Sequence, residues 1–361
     1  GGIMRYIKLH ENEKVPVFKN VIYALRLVCK ADKRLLISYL ISYIFDDVFV
    51  RYIQSILFLK VLLSLFDRGA EFREYVRDLL LFFAIAAATK IVSWVAAYIR
   101  QVATKNVLKV LSNMVFQKAI SLDVGCYESP EFYDKYQRAT LIMSAGYFDI
   151  ICYDVALVVS GIVSLVLVIG TVTAISPVYL LFLLPIALVF VIEIYKSKAV
   201  YKRDLEMTGN NRTKAYIQRT VFLKDFSKDM RTSNIFSVMM KRFEKAVDGN
   251  IKILKSYGVK LFLFRIVRSM FSEFIPIIGT YAYAGYTFVK GGSMTVSGFS
   301  VVVSSISTVR EATLDIAEAF DEMTQMALYF QNLKDFFDFE PSIKDGNIQA
   351  GEFESLEFRN V

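Results

Sequence analysis

The sequence predicts an all-α membrane protein with six long transmembrane helices that continue into charged extensions on one side of the bilayer. Three observations predict it. The stretch from Ser160 to Phe190 contains no Asp, Glu, Lys, Arg or His. Hydrophobic residues make up 55% of the 361, including 30 Phe and 21 Tyr, and the mean hydropathy is +0.42, a balance found in polytopic membrane proteins. Finally, the connections between apolar stretches alternate between short and long, and the long ones are heavily charged. A helix rising about 1.5 Å per residue crosses a hydrocarbon layer of ~30 Å in roughly 20 residues, so the chain has room for six spans with substantial parts outside.

Residues 1–34 read as a basic N-terminal segment with an amphipathic elbow helix, and 35–335 as a six-helix transmembrane domain. The first span runs from Leu35 to Phe66 and the second from Val76 to Ile99. Beyond it Val107, Val110, Leu111, Met114, Val115 and Ile120 keep helical spacing, with Lys105, Lys109 and Lys118 on other faces, so the helix continues out of the bilayer. Gly125 and Pro130 then punctuate the chain. The third span begins between Asp149 and Asp154 and reaches Thr173; a turn within Thr171 to Val178 leads into the fourth, Pro177 to Ile192. Tyr195 to Lys224 and Phe236 to Tyr257 read as amphipathic rods, with a break expected at Gly209, Asn210 and Asn211. The fifth span is Leu261 to Val289, the sixth Gly298 to about Phe320. Pro185 and Pro276 lie inside spans and predict kinks.

Charge assigns the sides. Residues 1–34 hold eight Lys or Arg, 100–148 hold six, 193–260 hold sixteen and 330–361 hold three. The other side has Arg68, Arg73, Arg77 and Lys290. By the positive-inside rule both termini and the long connectors are cytoplasmic. Because the basic excess follows membrane sidedness, nucleic acid is not an expected partner. Cys29, Cys126 and Cys152 have neither disulfide-framework nor metal spacing, and His10 is the only histidine, so no catalytic, metal or cofactor-binding residue is expected.

Ionisable residues within spans are costly in lipid and normally face protein or water. Asp46, Asp47 and Arg51 fall in the first span and Arg310 and Glu311 in the sixth; they are the candidate lining of a polar cavity. Asp47 and Arg51 are also spaced one turn apart, as a local pair would be. For Lys90, Asp149, Asp154, Arg265, Arg268, Glu273, Asp315 and Glu318 the expected state is internal pairing or reach to water.

The run Ser129-Pro-Glu-Phe-Tyr-Asp-Lys-Tyr-Gln-Arg-Ala139 resembles the first cytoplasmic coupling segment of bacterial ATP-binding-cassette (ABC) exporters. Lys228-Asp-Met-Arg231 is similar to an element those exporters carry beyond their second coupling segment. Glu352 to Val361 resembles the opening strand of their nucleotide-binding domain, which makes 336–361 a linker and first strand of a domain not contained in the chain. Phe132, Tyr133 and Tyr136 would form an apolar knob rimmed by Glu128, Glu131, Asp134 and Arg138, of the kind that seats in a groove on a moving domain. A second knob is expected around Asn210, Asn211, Tyr216 and Ile217.

The resemblance implies the transmembrane domain of an ATP-driven exporter in the bacterial inner membrane. It further implies a helix-swapped dimer, formed with a second copy or a paired half-transporter, that binds a cargo and couples to nucleotide-binding domains. No G-x-x-x-x-G-K-[ST] phosphate loop occurs, so this chain is not expected to be an enzyme; ATP and Mg²⁺ belong to the full-length protein. The alternatives are a flippase for lipids or lipid-linked substrates and a non-transporting sensor or assembly module.

Overall fold

The structure, a computed structural model, describes residues 16–122, 136, 140, 142, 143, 146–232, 235–290, 295–339 and 357. Among these residues the secondary structure is entirely helical. Helix α1 spans Val17–Asp32 and α2 spans Arg34–Asp67, with a π-helical stretch at Phe49–Phe58. Helices α3 (Phe72–Ile120), α4 (Tyr147–Ile175) and α5 (Tyr179–Phe222) follow. Helix α6 (Ile235–Ser269) passes through a π turn, Met270–Phe274, into α7 (Ile275–Val289), and α8 occupies Val296–Phe337.

Helices α2, α3, α4 and α5 are long and apolar enough to cross a membrane, which makes this a membrane-embedded protein. With 49, 44 and 42 residues, α3, α5 and α8 extend about 60–75 Å at ~1.5 Å per residue. That is at least twice the ~30 Å of hydrocarbon, so each continues well past any bilayer it enters.

The ends of α2 follow from local chemistry. Gly69 adopts a left-handed φ of 63°, and its N–H and that of Ala70 donate to the carbonyls of Phe66 and Leu65 at 3.1 and 3.0 Å. This Schellman closure satisfies carbonyls the helix leaves open and needs a residue without a Cβ at the αL position. The α4–α5 hairpin is tighter than the expected Thr171–Val178 turn: α4 runs to Ile175, and only Ser176, Pro177 and Val178 separate the helices. The π turn ahead of Pro276 has a steric origin, since a proline ring clashes with the carbonyl four residues back and has no N–H to donate to it.

The break expected at Gly209–Asn211 is absent, because α5 is continuous to Phe222. Its polar residues at that level are occupied across the hairpin. Asn250 of α6 donates to the Asn211 side chain at 2.8 Å, and a Cβ on Gly249 would lie 2.6 Å from the Asn210 amide nitrogen. These asparagines therefore mark a close helix crossing. The reversal comes at Leu223, which takes an extended conformation ahead of two short helical turns, Lys224–Phe226 and Ser227–Thr232. Below the crossing the Tyr257 hydroxyl donates to Glu206 at 2.7 Å, and this bond holds the phenol above its ordinary pKa.

The chain divides into two compact units. One comprises 1–36, 100–152 and 324–361. Within it α1 packs on the end of α8: Asn20 donates to the Ala327 carbonyl at 2.9 Å and to Gln331 at 3.0 Å. The Phe148 and Phe330 rings meet at 5.2 Å, around a core that includes Val28, Val107, Leu111 and Leu333. The helix expected within residues 1–34 is thus present as α1, and α8 runs two residues into the predicted linker at 336–361, which otherwise lies almost wholly outside the described residues.

The second unit comprises 37–99 and 153–323. Its core joins Ile56 of α2, Val168 and Val172 of α4, Leu183 and Ile186 of α5, and Val301 and Ile306 of α8. Small residues let helices approach: a Cβ on Gly161 of α4 would stand 3.1 Å from the Ile316 side chain of α8. The approach is closer at Gly279 of α7, where a Cβ would sit 2.3 Å from the Phe182 ring of α5. Gly279→Ala is therefore expected to displace that ring and destabilise the protein by about 1–3 kcal/mol. A lower midpoint of thermal unfolding in detergent should show it; an unchanged midpoint would mean the ring has room to move.

Candidate functional site

Tyr39, Tyr43, Asp47 and Arg51 recur every four residues on α2 and so form one stripe along that helix. The stripe faces α4 and α8. Asp47 receives the Arg51 Nε at 2.7 Å and the Ser160 hydroxyl at 2.8 Å, and the same guanidinium pairs with Asp315. One cation thus bridges two carboxylates, with the Arg51 and Asp47 side chains 11% and 16% exposed. Above the pair, the Tyr153 ring of α4 meets Tyr43 at 5.2 Å and Tyr39 at 6.4 Å, both edge-on, a favourable aromatic geometry.

The π stretch Phe49–Phe58 supports this cluster. Widening the helical ladder loosens its carbonyls, and hydroxyls take them up: Thr308 of α8 donates to the Arg51 carbonyl at 3.1 Å and Ser55 to the Val50 carbonyl at 2.8 Å. The second π turn does similar service, since its Glu273 pairs with Arg310 of α8. Glu311 lies 3.8 Å from the same guanidinium. Each π segment therefore contributes one charge to an ion pair with α8. Two further contacts tie other helices: Asp46 of α2 pairs with Lys90 of α3, and Glu193 of α5, paired within α5 to Lys196 at 2.6 Å, reaches Arg268 of α6 at 3.3 Å.

Asp154 stands apart. It is fully buried, and neither carboxylate oxygen has a hydrogen-bond donor among the described residues. The side chain adjoining it is another acid, Glu322 of α8.

All five candidate cavity residues, Asp46, Asp47, Arg51, Arg310 and Glu311, thus belong to ion pairs formed within one chain. The local Asp47–Arg51 pair exists, but it is part of a three-helix cluster rather than isolated. Asp315, Glu273 and Lys90 proved to be the partners that complete these pairs; the four-residue stripe on α2 was the available sequence signal, while partners on other helices left no local trace. Among the described residues no group of three or more His, Cys, Asp or Glu is arranged to hold a metal ion.

Of the residues expected to couple to a motor domain, Glu128, Glu131, Phe132, Tyr133, Asp134 and Arg138 lie outside the described residues. Tyr136 packs on the chain itself, its ring 5.7 Å from that of the buried Phe336. Asn210 and Asn211 serve the α5–α6 crossing, with Asn211 still exposed; Ile217 is buried, and Tyr216 is 61% exposed. No protein-family model matches the chain, and no curated protein matches it.

The arrangement is a polar seam through an apolar helix packing. Arg51→Met should leave Asp47 and Asp315 without their shared cation and cost about 3–5 kcal/mol. Adding Asp47→Asn and Asp315→Asn to it should recover most of that loss, because no uncompensated charge then remains. Thermal unfolding of the single and triple variants in nanodiscs checks this; equal losses in both would show that packing, not charge pairing, holds the seam.

Proposed function

We propose that the chain is the transmembrane part of an ATP-driven exporter, of the type its coupling-like segments resemble. Two chains, each with six spans, would enclose a cargo path, with both termini and the long connectors in the cytoplasm. The observation that carries this reading is the length of α3, α5 and α8, which outrun a bilayer by roughly 30 Å or more. A pore gains nothing from such rods, whereas a transporter driven by cytoplasmic domains needs rigid levers from the motor to the membrane. The closed α5–α6 hairpin, stiffened by its Asn211–Asn250 and Glu206–Tyr257 bonds, supports a lever of this kind. The charge seam supports an alternating machine, because its helices are joined by ion pairs that can exchange partners rather than by apolar contact alone.

The orientation is open to direct measurement. In a Cys126→Ser background, the exposed Cys29 of α1 should resist a membrane-impermeant maleimide added outside intact cells and react once the cells are opened. Labelling in sealed cells would invert the topology.

Coupling is tested on a full-length version carrying its nucleotide-binding domains. Phe132→Ala and Tyr133→Ala should leave expression intact and abolish stimulation of ATP hydrolysis by cargo. Stimulation unchanged in both variants would remove the coupling role from this segment. A natural gene that continues past Val361 without any phosphate loop would count against the exporter and for a sensor or assembly module.

A further inference from the structure

A cavity of about 610 Å³ opens between the end of α1, the start of α2 and the part of α3 beyond its apolar stretch, lined by Cys29, Asp32, Lys33, Arg34, Asn106 and Lys109. Its one carboxylate is fully engaged. Arg34 grips Asp32 with two side-chain bonds, Nε to Oδ1 at 3.0 Å and Nη2 to Oδ2 at 3.1 Å, and adds its backbone N–H at 3.0 Å. Asn106 supplies a further bond at 3.1 Å. These contacts, the Arg34 side chain foremost, hold the Asp32 carboxyl below the ordinary carboxylate range, so it remains charged and matched to Arg34. Lys33 and Lys109 are exposed and make no ion pair among the described residues. The cavity therefore carries two uncompensated positive charges.

Its place along the chain gives those charges a meaning. Arg34 is the first residue of the apolar helix α2, and Asn106 and Lys109 follow the last apolar residue of the second span, Ile99, by two to three helical turns. At ~1.5 Å per residue Arg34 sits at the edge of the hydrocarbon, while Asn106 and Lys109 lie about 10–15 Å beyond Ile99, past a headgroup layer of ~5–8 Å. The flexible Lys33 and Lys109 stems reach back toward lipid phosphates. On α3 the exposed apolar side chains Val102 and Val110 share the face of Asn106 and Lys109, giving an acyl chain a surface beside a cationic recess. Basic pockets at this depth select anionic headgroups, and each Lys or Arg near the surface contributes roughly 1 kcal/mol to attraction for acidic lipid.

We propose that this cavity is a binding site for the phosphodiester headgroup of an anionic glycerophospholipid, with Lys33 and Lys109 as its phosphate ligands and the Asp32–Arg34–Asn106 cluster as the wall that positions Lys33. The site depends on the membrane placement of α2 and α3 but not on exporter activity, so it stands or falls separately from the transport reading.

Native mass spectrometry of the detergent-purified chain, titrated with phosphatidylglycerol or phosphatidylcholine, tests it. The wild type should bind phosphatidylglycerol in preference. Lys33→Gln and Lys109→Gln should each weaken that binding about fivefold, with phosphatidylcholine unaffected, and the double variant Lys33→Arg, Lys109→Arg should retain it. The arginine variant also separates loss of charge from loss of folding. Inorganic phosphate at millimolar concentration should fail to displace the lipid; displacement would assign the cavity to a free anion. Equal phosphatidylglycerol affinity in wild type and both glutamine variants would overturn the proposal.

Discussion

A charge in hydrocarbon finds no water to solvate it, and its stability there rests on partners supplied by protein. That constraint organises the second structural unit. Arg51 is brought into an apolar helix and immediately shared between Asp47 and Asp315; Arg310 is met by Glu273 and Glu311; Lys90 by Asp46; Glu193 by Lys196 and Arg268. Three of these four groupings join different long helices outright, and the fourth adds Arg268 of α6 to a pair within α5. They determine which helix faces which, in an environment where apolar surface alone discriminates poorly between faces, because lipid chains solvate Leu and Val as well as protein does.

The same constraint accounts for where the helices depart from regular geometry. A widened turn frees backbone carbonyls, which in a membrane must be taken up by hydroxyls or neighbouring helices. At Phe49–Phe58 the uptake is by Ser55 and Thr308. At Met270–Phe274 the irregularity precedes Pro276, whose ring forbids the ordinary ladder. Both irregular turns also deliver a charged residue to α8. Geometry and electrostatics therefore coincide along that helix: the places where α2 and the α6–α7 pair are most easily reshaped are also where they are tied to α8. Moving α8 would require these ties to break or to find new partners.

Asp154 is the counterexample within this ordering. Its carboxylate is enclosed, has no hydrogen-bond donor among the described residues, and adjoins Glu322. Every other buried charge described above has its compensation in view. A fully enclosed acid beside a second acid is a costly arrangement on the α4–α8 face.

What the sequence by itself determined is the element plan. The apolar runs, their lengths and the charge-free Ser160–Phe190 hairpin prescribe long membrane helices, because a span must satisfy its own backbone and needs some 20 apolar residues to do it. Helical periodicity carried α3 correctly to Ile120, and the spacing of Asp47 and Arg51 offered their local pairing as one of two readings, since both are properties of one helix. The tertiary structure decided everything that depends on two helices at once. Gly209, Asn210 and Asn211 look like a helix break in isolation, yet Asn250 and Gly249 across the hairpin make them a crossing point. Asp315 and Glu273 are expected to pair or to reach water, and only the tertiary structure shows that Arg51 and Arg310 are their partners. Ile217 looks like an exposed contact and is buried, while Tyr136 is half-buried with its ring against Phe336. A residue's periodicity records which face of its own helix it occupies, but its energy inside a membrane depends on what that face meets, and that partner lies tens or hundreds of residues away.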